Sequence, residues 1–405
     1  MIYWIANLIV IGFTSFLFWK KFKGDFSPFI FWSGLMFKLS AGITLGFVFL
    51  HFYGGGDSFL FFSKAEALVS QPFETYISDI FTVSDYSTTN KPRVLFFAKF
   101  LSPFVYLSGG SYWITALYMS LISFLASWWT VVRFTKVYPS HSTVLITCFL
   151  FIPSIVFWSS GILKDTITYS ALLLLLANVL GLHKRVALSS IELLLAAVSI
   201  FTLYKLKHYA LITFLLFGGL LLFLNLIKSH KIHFKLAAVL FLFITLVGTQ
   251  FIHPHLNLKR LPLTIYENNS AIIEKSRNEY QLGITIENAA WNDVFREVPR
   301  ALKTGLFRPS IFDRTPKIGW PHKLENFCLT LLTIISILIL IKEKPKIDLP
   351  LAISASASII VLSTLLSLST PNFGTLVRYK NIFMPFFFLL VSILPYQYFF
   401  TKRLE

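Results

Sequence analysis

The chain has 405 residues, of which 55% are hydrophobic and only 14% are charged. Soluble domains carry about 25% charged residues, so this composition excludes an ordinary soluble protein and indicates an integral membrane protein. Lysine and arginine outnumber aspartate and glutamate by 36 to 19. Most of these cations lie in short loops between apolar segments, which favours membrane lipids and phosphate groups over nucleic acid as partners.

Long apolar segments recur along the whole chain, and about 20 such residues are enough to cross a bilayer as a helix. We therefore predict an all-α, polytopic helical membrane protein with about 11 transmembrane helices, built as a single integral membrane domain over residues 1–405. The expected spans lie roughly at residues 2–19, 28–52, 111–132, 142–158, 164–182, 187–204, 209–227, 236–252, 324–341, 348–368 and 381–399.

Two features predict the orientation of the chain in the membrane. The first apolar segment has no basic residue before it and is followed by Lys20, Lys21 and Lys23. A cleavable signal peptide carries its charge first, so we expect a retained span with the N-terminus outside. Every second short loop is basic, and the positive-inside rule places those loops and the C-terminus in the cytoplasm.

On this topology the outer face carries two long segments, where short turns would suffice if the face were inert. The first is an outer loop, residues 54–110, whose aromatic and basic residues predict amphipathic or re-entrant helices. Its apolar run from Val94 to Leu101 is too short to span the membrane. The second is a long outer loop, residues 253–322, in which residues 284–306 have helical periodicity.

An acidic residue on a glycine turn opens the first outer loop. Asp57 ends the sequence Tyr53-Gly54-Gly55-Gly56-Asp57, directly after the second expected span. Glycines let the backbone turn tightly and approach a ligand closely. We interpret Asp57 as the catalytic residue, a general base or a metal-binding carboxylate at the water–lipid boundary. The alternative is a helix N-cap, a position that aspartate favours.

Two further outer turns carry ionisable residues where spans re-enter the membrane. Charged groups at that depth are costly unless they are paired or functional. We predict Lys164 as a phosphate ligand that Asp165 orients; a mutual ion pair or a helix cap is the alternative. Lys205, Lys207 and His208 fill the next outer turn. We predict them as ligands of a phosphate or pyrophosphate, which suits compact ammonium charges, with contact to lipid headgroups as the alternative.

The last outer turn is the segment Thr370 to Lys380. Its Arg378 can donate two parallel hydrogen bonds to a phosphate, so we predict Arg378 and Lys380 as phosphate ligands. Tyr379 is a supporting residue that offers a hydroxyl or a ring for stacking on a sugar. Arg308, in the long outer loop, is a second supporting residue that either contacts the acceptor glycan or only solvates its loop.

The order of these features resembles a known family. A long first outer loop that opens with an acid, followed by amphipathic helices and many apolar spans, is similar to the GT-C superfamily of membrane glycosyltransferases. The sequences around Gly55-Gly56-Asp57, 157–165, 306–309 and 372–380 also resemble bacterial envelope-polysaccharide membrane proteins. The resemblance implies an enzyme of the bacterial cytoplasmic (inner) membrane that acts on its extracytoplasmic face, with Asp57 at the position of the family's acid.

The resemblance also implies a reaction. We expect a sugar to pass from a polyprenyl-phosphate- or pyrophosphate-linked donor to a glycan or lipid acceptor during synthesis of cell-envelope polysaccharide or glycoconjugate. Ser58 and Phe59 follow Asp57, so the chain lacks a paired acid of the DxD type and the requirement for a divalent metal ion stays open. We expect the outer turns to fold together into one cationic, acid-bearing pocket.

Three other functions compete with this one. O-antigen polymerases also act outside on lipid-pyrophosphate glycans, and they rely on arginines in outer loops. A transporter or flippase of lipid-linked saccharides would need a polar path at the bilayer midplane, whereas the spans here are nearly free of charge apart from Lys38 and Glu192. A scaffold subunit of an envelope machine would use the outer loops as docking surface.

Overall fold

The computed structural model describes residues 2–81, 92–228, 240–241, 243–245, 247–248, 257–315, 319–345 and 347–401. Within these ranges the regular secondary structure is helical, with one isolated bridge between Gln281 and Asn372. The helices of the first half are α1 (Ile2–Phe22), α2 (Pro28–Phe52), α3 (Gly56–Val69), α4 (Phe73–Phe81), α5 (Pro92–Leu107), α6 (Tyr112–Val137), α7 (Ser142–Ile146), α8 (Pro153–Trp158) and α9 (Lys164–His183). Those of the second half are α10 (Ser190–Leu206), α11 (His208–Phe214), α12 (Leu220–Lys228), α13 (Leu261–Lys275), α14 (Trp291–Phe307), α15 (Trp320–Glu343), α16 (Leu349–Ser369), α17 (Phe373–Lys380) and α18 (Met384–Tyr396).

Among the described residues, seven helices are long and apolar enough to cross a membrane, so the structure confirms a polytopic helical protein. They are Tyr3–Phe22, Pro28–Phe52, Tyr112–Val137, Lys164–His183, His208–Ile227, Trp320–Glu343 and Leu349–Ser369. An eighth arises if α17 and the helix that follows it count as one span, although the two are bent by 66°. The expected count of about 11 is therefore not confirmed by the described residues.

The difference from 11 has local causes. The expected span 142–158 is interrupted by a π-helical turn, Thr147–Phe151, and by Pro153, which opens α8. The expected span 187–204 corresponds to α10, which has only 17 residues. The expected span 236–252 lies largely outside the described residues, as does the start of the long outer loop with His253 and His255.

Caps in the sequence explain where several helices begin. The hydroxyl of Ser27 accepts a hydrogen bond from the backbone N–H of Phe29, and Pro28 occupies the first turn of α2. Ser111 caps α6 in the same way through the N–H of Ile114. Such caps satisfy backbone donors that a helix start leaves without partners.

The chain divides into two compact units, which are described separately. The first unit comprises Met1–Pro139, Phe149–Asn178 and Ser189–His208. In it, α2 packs against α6 and α8, and α3 packs along α5. Aromatic side chains fill this core; the ring of Phe31, for example, meets that of Trp128 edge-on at 4.9 Å. The described part of residues 54–110, the expected first outer loop, thus folds into helices α3 to α5 of this unit.

In the first unit, an ion pair joins the end of α6 to the start of α10. The guanidinium of Arg133, near the end of α6, contacts the carboxylate of Glu192. Glu192 lies in the first turn of α10, where it forms a capping box with Ser189. The expected span 187–204 includes this carboxylate, but the structure places it at a helix start with a cation beside it. A cation beside the carboxylate offsets the cost of a charge near lipid.

The second unit comprises Ser140–Cys148, Val179–Leu188 and Tyr209–Glu405. In it, α14 packs closely on α16: a Cβ at Gly305 would collide with the backbone carbonyl of Ser363. The side-chain amide of Asn269 in α13 donates to the carbonyls of Ile284 and Leu368, at 3.1 and 2.7 Å. These bonds fasten the described part of the long outer loop to the apolar helices of its own unit.

Candidate functional site

The glycine turn before Asp57 has the conformation that its sequence predicts. Gly54, Gly55 and Gly56 all have positive φ, at 57°, 91° and 46°, which L side chains adopt only with strain. Gly55 is the N-cap of α3 and, as a glycine, offers no side chain to cap it. Asp57 is therefore not the N-cap. It is the second residue of the helix, it is exposed, and its carboxylate suits the positive end of the helix dipole.

Lys164 lies beside the helix that contains Asp57. One turn further along α3, the ring of Phe61 is buried, and the ammonium of Lys164 lies 4.8 Å from the centroid of that ring. This is the geometry of a cation–π contact. Lys164 is the first residue of α9 and is half-buried. The structure thus places one predicted phosphate ligand next to the first turns of α3.

Asp165 and Lys207 form a buried ion pair. The ammonium of Lys207 donates to the carboxylate of Asp165, and the two residues are only 5% and 3% exposed. Asp165 lies in the first turn of α9, whereas Lys207 directly follows the last residue of α10. The pair joins the ends of two helices, and each charge depends on the other because an unpaired buried charge is costly.

His208, the residue after Lys207, contacts α5. Its Nδ1 lies 3.2 Å from the guanidinium of Arg93, a residue in the first turn of α5. Because α5 packs along α3, this contact leads back to the helix of Asp57. Arg93 is not among the site residues predicted from the sequence, where it is only a basic residue before a short apolar run.

The first unit therefore brings together four of the predicted site residues, and we call them with Arg93 the cationic cluster: Arg93, Lys164, Asp165, Lys207 and His208. Lys205 lies at the same end of α10 as Lys207, half-buried, with its ammonium 5.7 Å from the ring of Phe201. Phe201 in turn meets Phe96 of α5, at 5.8 Å between ring centroids. The cluster thus lies where α5 and α9 begin and α10 ends, and its Lys164 contacts Phe61 of α3.

The other predicted site residues belong to the second unit. There, buried Lys380 donates to the carbonyls of Leu306 and Arg308 at 3.3 and 3.0 Å and to the side-chain oxygen of Asn326 at 3.3 Å. A lysine ammonium has three N–H donors, so these three acceptors use its full capacity. In this structure Lys380 holds the end of α14 and the residues after it in place.

Arg308 is held within the same segment. Its guanidinium donates to both carboxylate oxygens of Asp313, at 3.1 and 2.6 Å, and to the carbonyl of Leu282 at 3.1 Å. It also lies 4.9 Å from the ring of Phe373. Burial alone would raise the pKa of Asp313, but the hydrogen bonds from Arg308 and Ser310 outweigh burial and lower that pKa.

Arg378 and Tyr379 lie half-buried in α17. The guanidinium of Arg378 is 6.0 Å from the ring of Tyr379, whose ring lies 6.3 Å from that of Tyr209. Directly after this helix, Asn381 is only 3% exposed, and neither polar atom of its side chain has a hydrogen-bond partner in the part of the chain that the structure describes. The prediction that the turns of both units share one pocket stays a prediction.

Within the described ranges, no group of three or more His, Cys, Asp or Glu side chains is arranged to hold a metal ion. Models of known protein families, curated proteins and solved structures were compared with this chain, and none matches. The case for its function therefore depends on its own residues, above all on the cationic cluster and the exposed carboxylate of α3.

Proposed function

We propose that this protein is a membrane glycosyltransferase that works on the extracytoplasmic face of a bacterial inner membrane. It would transfer a sugar from a polyprenyl-phosphate- or pyrophosphate-linked donor to a glycan or lipid acceptor. One observation carries the proposal: the cationic cluster gathers at the helix ends beside α3, and the second residue of α3 is the exposed carboxylate of Asp57.

The reaction requires two kinds of help from the protein. The acceptor oxygen forms a bond to the anomeric carbon while the bond from that carbon to the phosphate oxygen breaks, and its electron pair leaves with the phosphate. Cations held in a partly desolvated site stabilise that negative charge. This electrostatic stabilisation is usually the largest single contribution to the rate enhancement. A general base that takes the acceptor's hydroxyl proton contributes about 10²–10⁴-fold.

The proposal assigns these roles within the first unit. Asp57 accepts the proton, since it is exposed at the start of a helix where substrate can reach it. Half-buried Lys164 and Lys205 bind the donor's phosphate. Lys207 is paired with Asp165, so in this proposal the pair fixes the ends of α9 and α10 and adds little free positive charge. The predicted ligands Arg378 and Lys380 of the second unit are not needed for this argument.

The test uses purified protein in lipid nanodiscs, polyprenyl-linked sugar donors with a radiolabelled sugar, and candidate acceptors. We expect Asp57→Asn to lower transfer at least a hundredfold while the protein level in the membrane stays normal, since the base is lost and the fold is kept. The matched control is Glu66→Gln, which removes another exposed acid from the same helix and should transfer at the wild-type rate. Near-normal transfer by Asp57→Asn would remove Asp57 from the mechanism.

A polymerase of lipid-linked glycans is the second candidate. It is favoured by the partly buried arginines of the second unit, Arg308 and Arg378, because O-antigen polymerases rely on outer arginines. The same assay separates the two functions: a polymerase makes a ladder of products from one lipid-linked unit, whereas a transferase adds one sugar. Movement of a lipid-linked saccharide to the opposite leaflet without a new bond would instead support a transporter.

A further inference from the structure

A lysine lies deep inside the second helix of the first unit. Lys38 is the eleventh residue of α2 and is only 4% exposed. Its ammonium donates to the hydroxyl of Ser159 and lies 5.3 Å from the ring of Tyr169. None of the ion pairs among the described residues includes Lys38. A cationic side chain is expensive at this depth, so a lysine here calls for a function.

Ser159, the hydrogen-bond partner of Lys38, belongs to a buried turn that connects α8 to α9. α8 ends at Trp158 and α9 begins at Lys164, and the residues between them, 159–163, are buried without exception. Gly161 has a φ of 62°, which allows the chain to reverse there. This connection, which we call the 159–163 turn, leads directly into Lys164 and Asp165 of the cationic cluster.

Hydrogen bonds from side chains of α6 and α9 hold the 159–163 turn. The N–H of Gly161 donates to the hydroxyl of Ser120 in α6, at 2.9 Å. The hydroxyl of Thr166 in α9 lies 2.9 and 3.0 Å from the carbonyls of Ser160 and Gly161. These bonds engage backbone groups that are buried and therefore need partners inside the protein.

α2 also packs against the 159–163 turn. One turn after Lys38, Gly42 lies so close to the turn that a Cβ there would be 3.2 Å from the N of Gly161 and would collide with the hydroxyl of Ser120. Residues four apart share one helix face. The same face of α2 therefore approaches the turn at Gly42 and holds it by a hydrogen bond at Lys38.

Lysine suits this position because of what it meets. Ser159 is the C-cap of α8, and the last carbonyls of a helix carry partial negative charge that favours a cation. The hydroxyl of Ser159 donates onward to the carbonyl of Ile155 in α8, at 2.5 Å. Lys38 is thus linked through one hydroxyl to the last turn of the helix that precedes the 159–163 turn.

We propose that Lys38 is a positioning residue, which fixes the 159–163 turn and thereby holds Lys164 and Asp165 in the geometry that binds the donor's phosphate. This deepens, and rests on, the proposed function. Its consequence for catalysis follows from distance: a misplacement of about 1 Å in a binding group can cost about a hundredfold in rate. An apolar residue at position 38 would fill the space without fixing the turn.

The first test measures the turn itself and needs no enzymatic activity. In a background with Cys148→Ala and Cys328→Ala, Ser160→Cys places a thiol in the turn at a position with no exposure. We expect N-ethylmaleimide to label this thiol at least tenfold faster after Lys38→Met and after Ser159→Ala. The matched control is Lys64→Met, which removes an exposed lysine of α3 and should leave the rate unchanged.

This labelling result decides the inference in either direction. A labelling rate in Ser159→Ala or in Lys38→Met equal to that of the parent would overturn it, because the bond would then not hold the turn. Ser159→Ala removes a single oxygen, so it keeps the test decisive if Lys38→Met does not fold. Since the readout is thiol reactivity, its failure is distinguishable from failure of the proposed glycosyl transfer.

The second test asks whether Lys38 acts through Lys164. With the transfer assay, we expect Lys38→Met to raise the KM for the lipid-linked donor about tenfold while the KM for the acceptor stays within about twofold. Combined with Lys164→Gln, Lys38→Met should add no further loss, because residues that act through one contact are not additive. Multiplicative losses, or equal effects on both substrates, would overturn the positioning role.

Discussion

The pairing of Asp165 with Lys207 shows how a buried charge constrains a single residue. The two side chains are almost completely buried, and removal of one partner from such a pair typically costs about 3–5 kcal/mol. We expect Asp165→Asn to lower the unfolding midpoint in detergent strongly, because Lys207 would keep an uncompensated charge. The double variant Asp165→Asn/Lys207→Met should recover much of that loss, since no buried charge remains.

An exposed ion pair supplies the control for this prediction. Arg296 and Glu287 lie 3.5 Å apart with side chains 53% and 67% exposed, and such pairs contribute about 0–1 kcal/mol. Glu287→Gln should therefore leave the unfolding midpoint nearly unchanged. If Asp165→Asn is as stable as Glu287→Gln, the pair does not support the ends of α9 and α10.

Asn381 presents the opposite case, a buried polar side chain with no partner among the described residues. A buried amide without a hydrogen bond costs about 1–3 kcal/mol, so we expect Asn381→Leu to raise the unfolding midpoint. Asn326→Leu is the contrasting change, since the amide of Asn326 donates to the carbonyl of Pro309 at 3.0 Å and accepts from Lys380 at 3.3 Å. That variant should be less stable. Thermal unfolding in detergent measures both, and destabilisation by Asn381→Leu would contradict the expectation.

Local conformation at single residues was predictable, whereas partners were not. The turn at Gly54 to Gly56 follows from composition, because glycine alone adopts such backbone angles without strain. Lys207, the partner of Asp165, lies 42 residues further along the chain, so the sequence leaves a pair with adjacent Lys164 open. The sequence shows that Lys38 is unusual inside a span, but its contact with Ser159 joins residues 121 positions apart and follows only from the fold.

At the scale of elements, the segment after α14 is held by cations of its own unit. Asp313 accepts from Arg308 and from the N–H of Ser310, at 2.6 Å in each case, and these bonds lower its pKa against the effect of burial. A carboxyl with a lowered pKa stabilises the folded state at pH values above its unfolded pKa of about 3.9. This contribution is lost as the pH falls through the lower, folded value.

We therefore expect the stability that Asp313 contributes to depend on pH. Asp313→Asn should be less stable than wild type at pH 7, and the difference between the two should shrink as the pH falls below about 4, because the wild-type carboxyl is then protonated as well. Denaturant unfolding at several pH values measures the difference. Glu267→Gln, which changes an exposed acid on α13, is the control. A difference that is the same at pH 7 and at pH 3 would exclude the charge of Asp313 as its cause.

Element boundaries were predicted well for long apolar helices and poorly where helices break. The expected span 28–52 coincides with α2, because Ser27 and Pro28 mark its start. In place of the expected span 142–158, the structure has the short helix α7, a π-helical turn and α8. Hydropathy alone does not detect such interruptions, since the residues on both sides of the break at Ile152 and Pro153 are equally apolar.

The whole molecule is defined by its apolar helices and by the distribution of its cations. The positive-inside rule predicts that the loop with Lys20, Lys21 and Lys23 is cytoplasmic and that α3 lies outside. The proposed chemistry needs this orientation, since Asp57 lies in α3 and polyprenyl-linked sugars are expected on the outer face. Orientation is therefore the property on which the function of the whole protein depends.

Thiol labelling of intact cells tests this orientation. In the background without native cysteines, we expect a membrane-impermeant maleimide to label Ser63→Cys, an exposed position of α3, in intact cells. Lys23→Cys, also exposed, should react only after the membrane is permeabilised, because the basic loop faces the cytosol. Each variant thus serves as the control of the other. The reverse pattern would place Asp57 and the cationic cluster on the cytoplasmic side, where an extracytoplasmic lipid-linked donor cannot reach them, and the proposed glycosyl transfer would fail with it.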